Sequence, residues 1–407
     1  MNKPPALFTW QICRADSTSA LFTSARCDRA TDESTALSSL TFVHKKLSLD
    51  RSCTAIPVTI VDMRGLLEAT AWKQDGIFTR AQAIAGGLTS REFTTMTGAT
   101  GPWVRVRYGV YAERRRWQGL DDPARAHLRA LGALLMCADD AVLSHSSAAA
   151  PNGLPLVDVT DGLTHLTRDG QHQSSRTQAG VKHHVAALGP EQVLSGEWFA
   201  FTDPLRTVLD LSREFGYRTG LVAADAALRL GADNEQLLAR ADALSTEPHG
   251  PVFAAVAKAA NGLSESPLET LGRTVLESMD ITDLELQHRF DFDDGTFALG
   301  DMYSPEFDHL FECDGRLKYQ DQYDDSGRLV LGTEILWKEK LRTDKVRGQG
   351  TGCSRIIWAD TVPHNIERTR QRLWREIEQQ HPGRLIRSRR LPSAYARLAW
   401  PSHQASK

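Results

Sequence analysis

The chain has 407 residues, 41% of them apolar and 24% charged, with a formal net charge of −3. That is ordinary for a globular protein and long enough for two or three domains. Near-neutral overall charge excludes neither a basic binding face nor an acidic site. The six cysteines, Cys13, Cys27, Cys53, Cys137, Cys313 and Cys353, include no CxxC pair, which argues against a zinc module or a disulfide framework. No apolar run is long enough for a transmembrane helix, and the N-terminus lacks a signal-peptide pattern. The sequence therefore reads as cytoplasmic, with no membrane partner.

Residues 1–62 are rich in Ser and Thr and lack any sustained period, and SARCDRATDESTALSS has the composition of a disordered tract. A natural start at or near Met63 is the alternative expectation, since MRGLLEATAWKQDG opens the regular pattern there. Residues 63–120 predict a winged helix-turn-helix. In GIFTRAQAIAGGLT, Thr79 caps a short helix that ends at Gly86-Gly87, and Thr89-Ser90 caps a second, REFTTMTG. WVRVRYGVYA alternates as a hairpin, with Val104, Val106 and Val110 inward, Arg105 and Arg107 outward, and the turn at Tyr108-Gly109. Arg114, Arg115 and Arg116 complete a basic cluster suited to the phosphates of double-stranded DNA. A small structural helical domain with an exposed arginine face is the competing reading.

Residues 121–250 read as one α+β unit. A helix around ARAHLRALGALLM is followed by short strands at VDVTDGLTHLTRDG and VKHHVAAL. The helix in FTDPLRTVLDLSREFG is capped by Thr202 or Asp203 with Pro204 in its first turn, and GLVAADAALRLGAD forms another. Ser144-His145-Ser146 lacks a glycine elbow and an evident acid partner, so a packed histidine at a helix start is favoured over a nucleophile site. His183-His184 is adjacent rather than i,i+4, a poor metal pair for a helix face.

Taken in order, GIFTRAQAIAGGLT, WVRVRYGVYA, LSHSSAAAPNGLP, TDPLRTVLDLSR and VAADAALR resemble the AbiEi-type antitoxins of abortive-infection systems and related regulators, over roughly residues 64–245. The resemblance implies a promoter-binding winged helix followed by a domain that counters a nucleotidyltransferase toxin.

In the C-terminal region, Ser266 and Glu269 form a capping box ahead of a helix packed through Leu268, Leu271, Val275 and Met279. LELQHRF, Thr296–Tyr303 and the run through Glu312 predict strands, with SPEFD as a connection. A long helix (GTEILWKEKLRTDKVRGQG), a strand at SRIIWADTV and a closing helix at HNIERTRQRLWREIEQQ follow. A hairpin would carry Asp301 back toward Glu312 and Asp314. Three carboxylates meeting in a half-buried sheet need a neutralising hard cation, Mg²⁺ or Mn²⁺; otherwise they form a solvated face and never meet. The helix with Lys338, Lys340, Arg342, Lys345 and Arg347 can hold a phosphate backbone or be a plain solvated face. The tail 381–407 is basic, with Arg384, Arg387, Arg389, Arg390 and Arg397.

Glu269, Asp301, Glu312-x-Asp314-Gly315 and EKLRTDKVRGQG, in this element order, resemble the PD-(D/E)XK nucleases, in the branch allied to very-short-patch repair endonucleases, over residues 262–380. The resemblance implies a restriction-endonuclease-like α/β core with Asp301 and Glu312 as metal ligands and Glu269 as a helper. Asp314 stands where a lysine is usual, which leaves the base unassigned between Asp314 and Lys318. The expectation is a multidomain α+β, DNA-binding, antitoxin-like regulator carrying a nuclease-like domain. The alternatives are a metal-dependent endonuclease delivered by its N-terminal domains, or an inactive binding module.

Overall fold

The computed structural model describes residues 60–137, 141–168, 175–315, 322–323, 329–330 and 332–382. The N-terminal extension up to residue 59, Lys318 and the arginines of the tail lie outside the described residues.

The first elements are α1 (Ile60–Lys73), β1 (Ile77–Thr79), α2 (Arg80–Ala85), α3 (Ser90–Met96), β2 (Trp103–Arg107) and β3 (Val110–Glu113). Two Thr-x-x-Gln/Glu boxes fix where α2 and α3 begin. Thr79 Oγ1 accepts from Gln82 N at 3.1 Å while Gln82 Oε1 accepts from Thr79 N at 2.8 Å, and Thr89 and Glu92 repeat the exchange at 3.2 and 2.8 Å. Gly87, at φ +92, turns the chain between the two helices, a conformation that penalises a Cβ. The three strands form an antiparallel sheet in the order β1-β3-β2. Leu67, Phe78, Ala83 and Phe93 are buried beneath Trp103 and Tyr111, with Phe78 and Trp103 edge to face at 4.8 Å.

A short helix, α4 (Arg114–Gln118), leads to α5 (Asp122–Leu135), β4 (Ala141–Leu143), α6 (His145–Ala149), β5 (Thr164–Arg168), β6 (Arg176–Gln178), β7 (Val181–Val185), β8 (Val193–Ser195) and β9 (Ala200–Thr202). These strands make a mixed sheet in the order β6-β7-β5-β4-β9-β8, with β5–β7 and β4–β9 parallel. One face packs on α5. Leu128, Leu131, Leu143, Leu166 and Val181 share a single core with Ile77, Val106 and Val110 of the first sheet. Next come α7 (Pro204–Phe215), α8 (Tyr217–Arg229), α9 (Asn234–Ala243) and α10 (Gly250–Ala259). Asp203 caps α7, accepting from Leu205 N at 2.8 Å and Arg206 N at 3.0 Å. Val208, Leu211, Leu221, Leu237, Phe253 and Val256 form the helical core, each such side chain contributing about 1.5–3 kcal/mol by burial.

The last elements are α11 (Pro267–Glu277), β10 (Glu285–Asp291), β11 (Phe297–Ser304), β12 (His309–Cys313), β13 (Gln322–Tyr323), β14 (Leu329–Val330), α12 (Gly332–Gly348), β15 (Gly352–Ile356) and α13 (Ile366–Gln380). The sheet runs β10-β11-β12-β15, antiparallel except for β12–β15, which are parallel and joined through α12. Leu268, Val275, Met302, Phe311, Ile356, Leu373 and Ile377 pack one face on α11 and α13, while Phe290, Ala298, Leu310, Cys353 and Val346 of α12 form the core on the other. Arg273 of α11 is tied to Asp225 of α8 at 2.7 Å, and Thr270 Oγ1 donates to the same carboxylate at 2.8 Å, so the helical core contacts the helix that backs the C-terminal sheet. The protein is a mixed α/β structure with helices and several sheets. Among the described residues no helix is long and apolar enough to cross a membrane.

Candidate functional site

The basic residues around α3 and the β2–β3 hairpin divide into two groups. Arg105 is exposed on β2, and Arg91 is exposed on α3 beside Ser90, Thr94 and Thr95. Arg80, which the sequence reading did not single out, belongs with them. Its Nη2 lies 3.3 Å from Ser90 Oγ and its guanidinium sits 5.6 Å from the Phe93 ring centroid. Arg115 and Arg116 are also exposed.

Arg107 and Arg114 have other duties. Arg107 does not project outward as the strand alternation predicts. Pairing with β3 slips between Arg105 and Arg107, and the Arg107 stem packs against Gly132 of α5. Its guanidinium faces the Ala179 carbonyl at 3.5 Å, and burial pulls its pKa down. Arg114 donates to three backbone carbonyls, those of Gly101 at 2.7 Å, Gly98 at 2.9 Å and Trp103 at 3.0 Å. It closes the loop between α3 and β2, so its charge is directed into the fold. Lys345 is likewise engaged, with Nζ 2.6 Å from Asp294 Oδ2 and 3.0 Å from Thr296 Oγ1.

The carboxylates of the C-terminal sheet were expected to converge. β11 and β12 pair only as far as Met302–Phe311, and there the strands part. Asp301 stands at the parting, and its Oδ2 accepts from the Cys313 backbone N–H at 2.7 Å, in place of a ladder carbonyl. Glu312 is buried and faces α12, where Arg342 Nη2 donates to Oε1 at 2.8 Å and Thr343 Oγ1 to Oε2 at 3.2 Å. Asp314 pairs with Arg355 at 3.0 Å. Glu269 accepts from Glu265 N and Ser266 Oγ, both at 2.8 Å, and from Gln287 Nε2 at 3.2 Å. Burial holds the Glu269 carboxyl above its usual range, and the nearby Asp301 charge pushes the same way. So Glu269 and Asp301 are electrostatic neighbours, while Glu312 and Asp314 are neutralised separately by arginines.

Among the described residues, Asp301, Glu312 and Asp314 do not bring ligand oxygens within 4.8 Å of one another as a set. Arg342 supplies the positive charge that the sequence reading assigned to a cation. Spacing along α12 marks Arg342 only as part of a basic helix, because it does not reveal which strand that helix crosses.

Ser144 and His145 were weighed as a nucleophile pair lacking an acid. The structure supplies an acid, Asp210, but on the wrong atom. Ser144 Oγ at 3.0 Å and Asp210 Oδ2 at 3.8 Å both approach Nδ1 of His145. A serine–histidine–aspartate relay needs the serine and the aspartate on opposite ring nitrogens. The histidines that gather here are His145, His165 and His184, with Asp161 and Glu214 at the margin. His165 escaped the sequence reading altogether, since strand pairing alone brings it to His184.

No protein-family model matches this chain, and no curated protein is significantly similar to it.

Proposed function

We propose that this protein is a double-stranded-DNA-binding regulator that engages its site through a winged helix formed by residues 60–113. The observation that carries the reading is the element order α1-β1-α2-α3-β2-β3 with sheet order β1-β3-β2, which leaves the polar side of α3 and the β2 arginine open to solvent. A helix with small polar side chains at its exposed face suits a groove, and arginines at its margin suit phosphates. Arg80, Arg91, Arg105, Arg115 and Arg116 make the phosphate contacts in this reading, whereas Arg107, Arg114 and Lys345 serve the fold. The antitoxin-like role extends it: the protein represses its own operon, and the unit built on the six-stranded sheet counters a nucleotidyltransferase toxin. The test is binding of the full chain to operator-length duplexes from its own upstream region, with Arg80, Arg91 and Arg105 replaced by alanine. Loss of binding on replacement supports the reading, and undiminished binding removes it.

A second reading has its own observation. The order α11-β10-β11-β12-α12-β15, with the short β13–β14 pair inserted before α12, β12 and β15 parallel and Glu269 beside Asp301, supports a restriction-endonuclease-like core. Phosphodiester hydrolysis with Mg²⁺ or Mn²⁺ would require Glu312 to exchange Arg342 for an ion. Plasmid nicking by wild-type protein, abolished in Asp301→Asn and Glu312→Gln, is its test. Without such nicking the C-terminal unit is a binding module.

A further inference from the structure

The face of the six-stranded sheet turned toward α6 and α7 is polar and buried. Ser144, His145, His165, Thr167 and Asp210 are each no more than 3% exposed. Polar groups in such a layer cost free energy unless they are fully satisfied or serve a ligand. Parallel pairing of β5 with β7 sets His165 and His184 on this face, and His145 enters from the start of α6 at φ +49, a left-handed conformation unusual for a residue with a Cβ. The three rings lie nearly parallel. Those of His145 and His184 stack at 3.7 Å between centroids, and His165 stands 5.2 Å from His184 and 5.4 Å from His145.

Three features of this cluster point to a cation, whose binding would part the 3.7 Å stack of His145 and His184 so that their in-plane lone pairs converge. One nitrogen from each ring lies within 4.8 Å of the other two. His165 Nε2 lies 2.8 Å from Asp161 Oδ2, a carboxylate partner that fixes the tautomer and directs the lone pair of Nδ1 inward. That Nδ1 faces His184 Nε2 at 2.9 Å. Among the described residues, buried Asp210 Oδ2 has no hydrogen-bond partner and sits 3.8 Å from His145 Nδ1. The carboxylate is already paired through Oδ1 with Arg206 Nε at 2.9 Å, so Oδ2 is the acceptor left to orient His145 through a protonated Nδ1.

We propose that His145, His165 and His184 form a binding site for one divalent transition-metal ion of the zinc class. Three neutral imidazoles with a fourth position left open are a donor set for Zn²⁺, Co²⁺ or Ni²⁺ rather than for Mg²⁺ or Ca²⁺. The ion replaces the proton shared between His165 and His184, and His184 shifts to the tautomer protonated on Nδ1, so no net proton is released there. The overlapping group Asp161, His165 and Glu214 is the weaker lodging, because the Glu214 carboxylate is held by Lys182 and Asp161 already occupies His165 Nε2. The site is separate from the arginine face and from the C-terminal carboxylates, so its outcome does not depend on either reading above.

The experiment is titration of the chelator-treated full chain with Co²⁺, followed by its visible ligand-field bands, then competition with Zn²⁺ and thermal melting in parallel. The expected result is one ion per chain, displaced by Zn²⁺, with a rise in Tm. His184→Gln should abolish the bands, Asp161→Asn should weaken binding about 10–100-fold through loss of the orienting carboxylate, and Glu214→Gln and Asp301→Asn should bind as wild type. Near-UV circular dichroism of the metal-free variants checks folding, and Asp161→Asn carries the test if His184→Gln does not fold. Wild-type protein without Co²⁺ bands or a Zn²⁺-dependent Tm shift overturns the proposal, as does undiminished binding in a folded His184→Gln, or in Asp161→Asn where that variant carries the test.

Discussion

Arg342 and Glu312 form an ion pair across the interface between α12 and β12, with Nη2 2.8 Å from Oε1 and the glutamate side chain 4% exposed. The arginine side chain is 36% exposed, so solvent screens part of the attraction, but the carboxylate has no such recourse.

Replacing Arg342 with alanine therefore leaves a buried carboxylate with Thr343 as its one remaining side-chain donor among the described residues. The expected loss is about 2–3 kcal/mol of unfolding free energy in urea. The double variant Arg342→Ala, Glu312→Leu should be at least about 1 kcal/mol more stable than Arg342→Ala alone, since no charge then remains buried. Strictly additive destabilisation would show that the two side chains do not act as a pair.

His309 gives a pH dependence of known sign. Burial, with His381 nearby, lowers its pKa to about 4, and Nε2 lies 2.8 Å from Ser354 Oγ. Below the unfolded value near 6.5 the unfolded chain binds a proton that the folded chain refuses, so stability falls as pH drops from about 6.5 to about 4. The slope contributed by this one group is at most about 1.4 kcal/mol per pH unit. Asp210, Glu269 and Glu277, whose pKa values are raised, work in the opposite sense, so the informative quantity is the difference between wild type and His309→Gln. That difference should shrink as pH is lowered through this window. A constant difference would mean that His309 titrates alike in both states.

The Arg273–Asp225 pair, 2.7 Å apart with side chains 8% and 1% exposed, joins α11 to α8. Asp225 also receives Thr270 Oγ1 and the Asn261 N–H. Arg273→Ala should cost about 3–5 kcal/mol, the usual penalty for stranding a buried charge. It should also split a single denaturation transition into two, because α8 and α11 lose the buried ion pair that joins them. Retention of one sharp transition at an unchanged midpoint would contradict this.

What the sequence revealed and what it hid follow from the range of each interaction. The caps at Thr79, Thr89, Asp203 and Ser266 are local hydrogen bonds and are readable from spacing alone. So is the alternation that buries Val106 and Val110, whereas the short β13–β14 pair that precedes α12 has no counterpart in the sequence expectation. The strand read through SRIIWADTV stops at Ile356, where Asp360 Oδ2 accepts from the Ile357 N–H and tightens the chain into a single turn. Side-chain partners across elements were hidden. Arg114 sits within an arginine triplet but closes its own loop, Arg107 follows a pairing slip, and Lys345 meets Asp294 from a distant hairpin. Carboxylate convergence was inferred from a hairpin, and the strands part at Asp301. The histidine layer was invisible because it depends on a parallel pairing between β5 and β7, which no local pattern encodes.

The central claim is that residues 60–113 present a DNA-binding face whose charge comes from Arg80, Arg91 and Arg105 rather than from Arg114. The most direct measurement is the salt dependence of duplex binding by the full chain, compared for wild type, the triple alanine variant and Arg114→Ala. Each phosphate contact contributes roughly 0.9 to the slope of log affinity against log salt. The account predicts that the triple variant loses about two to three units of slope along with most of its affinity. Arg114→Ala should melt at a lower temperature but keep the wild-type slope. A triple variant with the wild-type slope, or an Arg114→Ala variant that loses slope without losing stability, would contradict it.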